Sequence, residues 1–196
     1  MFMALITVFV IASVTTRVGY GRKHRLGLAE RGQGRGASQV LANISAASAM
    51  AALAIFADHP EGWLIAATAA LAEAAADTAS SEFGQAVSRR AYLITDFRQV
   101  PIGTDGGISI WGTIAGAAAA LLVASVATVT HAIPAHWMLP VAAIAVLGMF
   151  VDSLLGAWFE RRELLNNDAV NFASTAVAAL IAVLLYAERH GHYWLT

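Results

Sequence analysis

Six apolar stretches, each long enough or nearly long enough to cross a bilayer as a helix, limit the fold of this chain more than any other feature. About 20 mostly apolar helical residues are needed to cross the hydrocarbon core. With 58% hydrophobic and only 13% charged residues in 196, the composition is that of a membrane protein. The sequence therefore predicts an all-α fold, a polytopic integral membrane helix bundle forming one transmembrane domain. The predicted spans are roughly 1–16, 38–57, 62–85, 108–130, 137–159 and 168–187.

The basic residues are distributed unevenly over the segments that connect these stretches. Eleven of the twelve Lys and Arg residues fall on alternate connections, and Arg189 is the exception. Because cytoplasmic loops carry the excess of basic residues, we expect both termini outside and the connections after the first, third and fifth stretches in the cytoplasm. The predicted location is the cell (inner) membrane, crossed several times.

Carboxylates and hydroxyls interrupt the apolar third stretch. Glu73, Asp77 and Ser80 lie one helical turn apart on one face, and Glu82 follows. Ionisable side chains inside a span are costly and usually face a bundle interior or a watery cavity. We interpret the segment as a functional site near the cytoplasmic end of the helix. The alternative is a helix end that has already left the bilayer.

Further acids are predicted at the same end of the bundle. Asp152 ends the fifth stretch, with a glycine one turn away on each side. Asp105 lies just before the fourth stretch, in a segment too rich in Gly and Pro for a regular helix, so we expect a tight loop that either lines a cavity or forms a plain surface turn. Candidate phosphate contacts in this cytoplasmic-side, glycine-rich loop and on the third stretch are Gly103, Thr104, Gly106, Gly107, Ser109 and Ser80.

The first basic connection and the starts of two helices offer other candidates for phosphate binding. Lys23 and Arg35 carry positive charge, and the glycines around Arg35 precede a helix start, where free backbone N–H groups favour anions. Gln39 and Asn43 follow on one face of that helix, and Asn171 lies one turn inside the sixth stretch. The alternatives are an orientation signal in contact with lipid headgroups for the basic residues, and helix–helix hydrogen bonding for a single Asn.

The acids and the phosphate-binding groups together indicate a class of chemistry. Carboxylate oxygens suit Mg²⁺, for which Asp77, Glu82, Asp105 and Asp152 are the candidate ligands, and cations with backbone N–H groups suit phosphate. Phosphoryl or nucleotidyl transfer needs both sets. These residues alone fit a kinase, a cytidylyltransferase or a cation transporter. The absence of cysteine excludes a thiolate nucleophile and a sulfur metal site.

Four ordered blocks resemble one membrane family. The blocks 35–43, 76–84, 100–109 and 152–157 look like the family of the plant phytyl-phosphate kinase of vitamin E synthesis, which includes the transmembrane-protein-19-like proteins. The resemblance implies phosphoryl transfer from CTP or another nucleoside triphosphate to an isoprenyl monophosphate, giving the diphosphate. More distantly, the order of Asp77, the glycine-rich loop and Asp152 is similar to that in dolichol kinases and phosphatidate cytidylyltransferases.

The leading interpretation is an Mg²⁺-dependent isoprenyl-phosphate kinase acting on phytyl, geranylgeranyl or polyprenyl phosphate, with Asp77, Glu82 and Asp152 as catalytic residues. The alternatives are a cytidylyltransferase that forms a CDP-lipid and a small ion-coupled transporter. We expect no nucleic-acid partner. In the resembling family further helices usually precede the first span, so a partner or a second copy in a homodimer would complete the substrate groove. Asp105 stands where Asn is common in that family.

Overall fold

The computed structural model describes residues 1–29 and 36–191, and helices make up most of this part. The helices are α1 (Phe2–Arg17), α2 (Tyr20–Arg25), α3 (Ala37–Phe56), α4 (Glu61–Val87), α5 (Ile110–Val129), α6 (Met138–Trp158) and α7 (Asn167–His190). Single 3₁₀ turns cover Ala135–Trp137 and Glu160–Arg162, and short strands are β1 (Ala91–Leu93), β2 (Gln99–Val100) and β3 (Gly107–Ile108). The predicted all-α membrane bundle is confirmed.

Each of the six predicted stretches is a long helix, and the helix ends fall within three residues of the predicted ones. By length and composition, α3, α5, α7 and the segment Ala135–Arg162 that contains α6 can cross a membrane. Helix α1 is apolar but shorter, at 16 residues. Helix α4 has 27 residues, a length of about 40 Å, but its acids lower its hydropathy.

Helix α4 lies at the centre of the bundle, where it contacts α1, α3, α5, α6 and α7. Small side chains let the neighbouring backbones approach closely. A Cβ on Gly112 would stand 2.6 Å from the Ser80 carbonyl oxygen, and one on Gly116 would stand 2.8 Å from that of Ala76. Glu73 and Glu82 of α4 are accordingly buried between neighbouring elements.

The first basic connection contains a short helix, α2, that was not predicted. Gly19 adopts a left-handed conformation (φ 62°), and a Cβ there would meet the Ala86 Cβ at 2.6 Å. The Arg22 guanidinium donates to the carbonyl oxygens of Ala86, at 3.0 Å, and of Ser88. Close packing and hydrogen bonds thus fasten α2 to the end of α4.

The segment after α4 forms a small antiparallel sheet in the order β2-β1-β3. Tyr92 of β1 pairs with Gln99 on one side and with Ile108 on the other. The sequence predicts only an irregular loop here, because strands of two or three residues are too short to show an alternating pattern. Between β2 and β3 the chain is irregular over 101–106, and Gly106 of this stretch lies against Ala157 at the end of α6.

Candidate functional site

A cavity of about 390 Å³ opens at the end of the bundle where α4 ends and α5 begins. Helices α3, α4, α6 and α7 contribute to its wall together with the segment 102–109. It brings together most of the predicted site residues: Gln39, Asp77, Ser80, Glu82, Gly103, Thr104, Asp105, Gly106, Gly107, Ser109, Asp152 and Asn171. Lys23 and Asn43 do not line it, and Arg35 lies outside the described residues.

Asp77 of α4 and Asp152 of α6 form a carboxyl pair in the cavity wall. Their carboxyl groups lie within hydrogen-bonding reach of each other. The Ser174 hydroxyl donates to Asp152 Oδ2 at 3.1 Å and thereby ties the pair to α7. Two carboxylates at this separation repel each other unless they share a proton or a cation. The pair is therefore a point at which a bound cation would be favoured.

Asp105 and Glu160 extend the acidic wall towards the mouth of the cavity. Glu160 lies within electrostatic reach of both Asp77 and Asp105. Partial burial raises the pKa of the Asp105 carboxyl above its ordinary value, and the nearby Arg161 guanidinium opposes this shift. Arg161 thus places a positive charge beside an otherwise acidic rim.

The glycines of the loop are explained first by backbone geometry. Gly103 and Gly106 adopt positive φ angles of 85° and 73°. A Cβ on Gly106 would lie 2.5 Å from the Ala157 Cβ and 2.7 Å from the Ala157 backbone, whereas one on Gly103 would meet only the Leu28 side chain, which can move aside. At Gly106 only glycine suits both conditions, a left-handed conformation and a close approach. The loop can therefore lie directly on the end of α6, beside Asp152.

Some polar groups of this loop already form hydrogen bonds within the loop. The Thr104 hydroxyl donates to the Pro101 carbonyl oxygen at 2.8 Å, and the Gly107 N–H donates to the Thr104 carbonyl oxygen, also at 2.8 Å. Ser109 caps α5 by accepting from the Gly112 N–H at 3.2 Å. The predicted phosphate contacts of these groups remain predictions, but these hydroxyls also have structural partners.

The structure gives Lys23 a different environment from the predicted one. It is 1% exposed, and its ammonium donates to Glu82 Oε2 at 2.5 Å and to the carbonyl oxygens of Thr16 and Thr15 at 2.6 and 3.3 Å. Because an ammonium has three donors, these acceptors use all of them. Lys23 does not point a free charge at the cavity, so its predicted phosphate contact is replaced by a buried ion pair.

The same pair changes the interpretation of Glu82. Its Oε2 accepts from Lys23, and its Oε1 accepts from the Thr16 hydroxyl at 3.2 Å. In 1–29 and 36–191, no three His, Asp or Glu side chains are grouped to hold a metal ion. The predicted four ligands are therefore not assembled as one set.

The donor chemistry still fits Mg²⁺ at the Asp77–Asp152 pair. Mg²⁺ usually keeps several waters and is bound by one or two carboxylates together with substrate phosphates, so a complete protein cage is not required. Asp77 and Asp152 supply hard oxygen ligands, and the described lining of the cavity contains no His. The pair is the part of the wall best suited to such an ion.

The amide side chains are divided between the cavity and the bundle. Gln39 Oε1 accepts from the Gly36 N–H at 3.2 Å, which caps α3, and Gln39 also lines the cavity. Asn171 is buried and reaches the cavity, whereas Asn43 is buried in α3 away from it. The alternative interpretation, a hydrogen bond between helices, therefore suits Asn43 better than Asn171.

Several polar lining residues were not among the predicted site residues, namely Gln85, Ser153, Glu160 and Asn167. Glu160 stands next to two arginines after the fifth stretch, a context typical of a solvated loop. Glu160 follows Asp152 by eight residues, about two helical turns, and this spacing could have indicated that the two acids lie on the same face.

Similarity to known proteins then establishes the family. The pattern of the integral membrane protein DUF92 matches residues 1–179. The chain belongs to the DUF92 family. This DUF92 protein is 37% identical over 183 residues to an uncharacterised membrane protein of Methanocaldococcus jannaschii, covering 93% of this chain and 74% of the relative. It is 30% identical over 187 residues to an uncharacterised membrane protein of Synechocystis, covering 93% and 72%.

A plant relative supports the resemblance predicted from the four blocks. The chloroplastic protein VTE6 of Arabidopsis thaliana is 32% identical over 196 residues, which cover 94% of this chain and 58% of VTE6. The predicted membership of this membrane family is confirmed. The chain thus spans little more than half the length of VTE6. No solved structure matches it.

Proposed function

We propose that this DUF92 protein is a membrane phosphotransferase. It would transfer a phosphoryl group from a nucleoside triphosphate, CTP foremost, to an isoprenyl monophosphate and so form the diphosphate. The observation that carries this proposal is the Asp77–Asp152 pair in a polar cavity at one end of a membrane bundle. The four sequence blocks and the similarity to VTE6 support an isoprenoid phosphate as acceptor.

The charge of the cavity favours a phosphate substrate that arrives with a cation. Five acids and no Lys or Arg occur among the described lining residues. A triphosphate and a lipid phosphate add further negative charge, so direct binding would be opposed by repulsion. Asp77 and Asp152 would hold Mg²⁺. The ion, when bound, would neutralise charge on the transferring phosphoryl oxygens.

The other polar residues of the cavity would align the two substrates. A phosphate monoester has its second pKa at about 6, so the acceptor oxygen is already anionic and no side chain has to remove a proton from it. That oxygen forms a bond to the γ-phosphorus, the bond from the γ-phosphorus to the bridging oxygen breaks, and the nucleoside diphosphate leaves. Gln39, Ser80 and Asn171 face the cavity and would orient the two substrates by hydrogen bonds.

The proposal is tested with purified protein in lipid nanodiscs. Phytyl or geranylgeranyl monophosphate is incubated with each of CTP, ATP, GTP and UTP in the presence of Mg²⁺, and products are identified by mass spectrometry. We expect the lipid diphosphate and a nucleoside diphosphate, and their loss in Asp77→Asn. A CMP-bearing lipid with pyrophosphate would instead identify a cytidylyltransferase. Absence of diphosphate with every pair of substrates would refute the kinase.

We also propose that the cavity faces the cytoplasm, as the distribution of basic residues predicts. A cysteine introduced at Ser38, close to the cavity, should then react with an impermeant maleimide only from the cytoplasmic side. A cysteine at Glu61, at the other end of the bundle, should react only from outside. Labelling of both positions from the same side would contradict this arrangement, because α3 would not cross the membrane.

A further inference from the structure

Glu73 is a buried acid to which the proposed reaction assigns no task. It lies one helical turn before Asp77 in α4, deeper in the bundle, and is 0% exposed. Among the described residues, no group meets full hydrogen-bond geometry with either of its carboxyl oxygens, and the Ser174 hydroxyl is a polar group that lies beside them. An unpaired carboxylate in an apolar interior costs many kcal/mol, so a charged form is not retained there without a partner. A neutral carboxyl has an O–H donor for which the fold must provide an acceptor.

The structure makes room for this side chain at one place. A Cβ on Gly148 of α6 would stand 2.5 Å from Glu73 Cγ, so only glycine leaves the space that the side chain fills. The Ser174 hydroxyl of α7 lies beside the Glu73 carboxyl. The single proton of that hydroxyl can be donated to Asp152 Oδ2, at 3.1 Å, or to the Asn171 carbonyl oxygen, also at 3.1 Å. Its one proton is thus directed away from Glu73, while its oxygen can still accept.

We propose that Glu73 is a positioning residue that acts on Asp152 through Ser174. The neutral Glu73 carboxyl donates to the Ser174 oxygen, and the Ser174 hydroxyl donates to Asp152 Oδ2. This relay holds the Asp152 carboxylate in one orientation, with its other oxygen available to the Mg²⁺ that Asp77 and Asp152 would hold. The inference rests on the proposed function and deepens it, because it specifies how the fold aligns one of the two acids that would hold Mg²⁺.

The relay explains why a costly acid is placed at this depth. Partners that hydrogen-bond to metal-binding side chains fix their orientation, and loss of such a partner typically reduces metal affinity or activity about 10- to 100-fold. An apolar residue at position 73 would pack in the alanine-rich bundle but would leave Ser174 free to rotate. Glutamine has nearly the same shape and keeps a donor, so it should replace Glu73 with little loss.

The experiment compares Glu73→Leu, Glu73→Gln and Ser174→Ala with the unchanged full chain in nanodiscs. Two readouts are taken against Mg²⁺ concentration: diphosphate formation, and the rise in unfolding temperature that a bound metal produces without any substrate. Glu73→Leu and Ser174→Ala should need about 10- to 100-fold more metal for a half-maximal effect in both readouts. Glu73→Gln should remain close to the unchanged protein.

Two further variants separate the relay from general packing. Glu61→Gln removes an acid at the opposite end of α4, where Glu61 Oε2 accepts from the Tyr186 hydroxyl at 3.2 Å, and it should leave the metal dependence unchanged. Gly148→Ala displaces the Glu73 side chain without changing its chemistry, so it should shift the metal dependence in the same direction as Glu73→Leu. Gly148→Ala also tests the role of Glu73 if Glu73→Leu does not fold.

Three outcomes would overturn the inference. The first is an unchanged metal dependence in Gly148→Ala and in any folded Glu73→Leu, even if Ser174→Ala is impaired, because Ser174 contacts Asp152 directly. The second is a Glu73→Gln variant as impaired as Glu73→Leu, because the negative charge would then be the property that matters. The third is the absence of any metal-dependent stabilisation in the unchanged protein. Metal-dependent stabilisation without a diphosphate product would refute the kinase alone, and the relay would still be judged on unfolding temperature.

Discussion

Replacement of Lys23 by Met removes the charge of a buried ion pair and keeps most of the side-chain volume. In the native protein the Lys23 ammonium holds Glu82 Oε2 at 2.5 Å and also satisfies two carbonyl oxygens at the end of α1. Without it, Glu82 would stay buried with an unbalanced charge. Breaking a buried pair by removing one partner costs about 3–5 kcal/mol.

That cost predicts a large and measurable loss of stability. At 1.4 kcal/mol for each power of ten, the unfolding equilibrium constant rises by roughly two to four powers of ten. For a chain of about 200 residues, 1 kcal/mol corresponds to about 2–4 °C, so Lys23→Met should lower the unfolding temperature by roughly 6–20 °C. The double variant with Glu82→Gln should recover most of this loss, because no unpaired charge then remains.

The assay is thermal unfolding followed by tryptophan fluorescence in one detergent for all variants, together with the KM for the lipid phosphate. Lys23→Met should unfold earlier while the surviving folded protein keeps its KM. An unchanged unfolding temperature combined with a raised KM would refute the reasoning, since Lys23 would then contact phosphate and not Glu82.

Two other predictions concern the acid pair and the loop. Asp77→Asn or Asp152→Asn keeps the shape but removes a charge that the metal needs, so turnover should fall by orders of magnitude and recover in part at high Mg²⁺; near-normal turnover in both would contradict the site. Gly106→Ala places a methyl group against backbone atoms of α6, which should destabilise the protein by about 1–3 kcal/mol in thermal unfolding. Gly21→Ala, with no atom within 4 Å of the added methyl, is its control.

The fold was largely predictable because its strongest signals are long and local. Apolar stretches of about 20 residues determine both the number and the ends of the helices. The number of crossings also predicted that Asp77, Asp105 and Asp152 lie at the same end of the bundle, since helix direction alternates with each crossing. The structure places these three around one cavity.

The parts that were not predictable depend on contacts between distant segments. Nothing in the composition around Lys23 distinguishes a buried ammonium from a solvated one, because its partner Glu82 is 59 residues away. Gly106 likewise packs against the end of α6 only because the small sheet positions the loop there. Strands as short as 99–100 and 107–108 form because they pair with β1, and not because of a preference visible in two residues.

The central position of α4 also has a consequence for how the protein is made. A segment that carries Glu73, Asp77 and Glu82 enters a bilayer less readily by itself than its apolar neighbours do, since each acid opposes transfer from the translocon into lipid. In the folded protein α1 and α3, which are synthesised earlier, already contact α4. Biogenesis is therefore expected to retain α1 and α3 beside the translocon until α4 arrives, so that the acidic helix passes into a protein-lined environment and never has to be solvated by lipid alone.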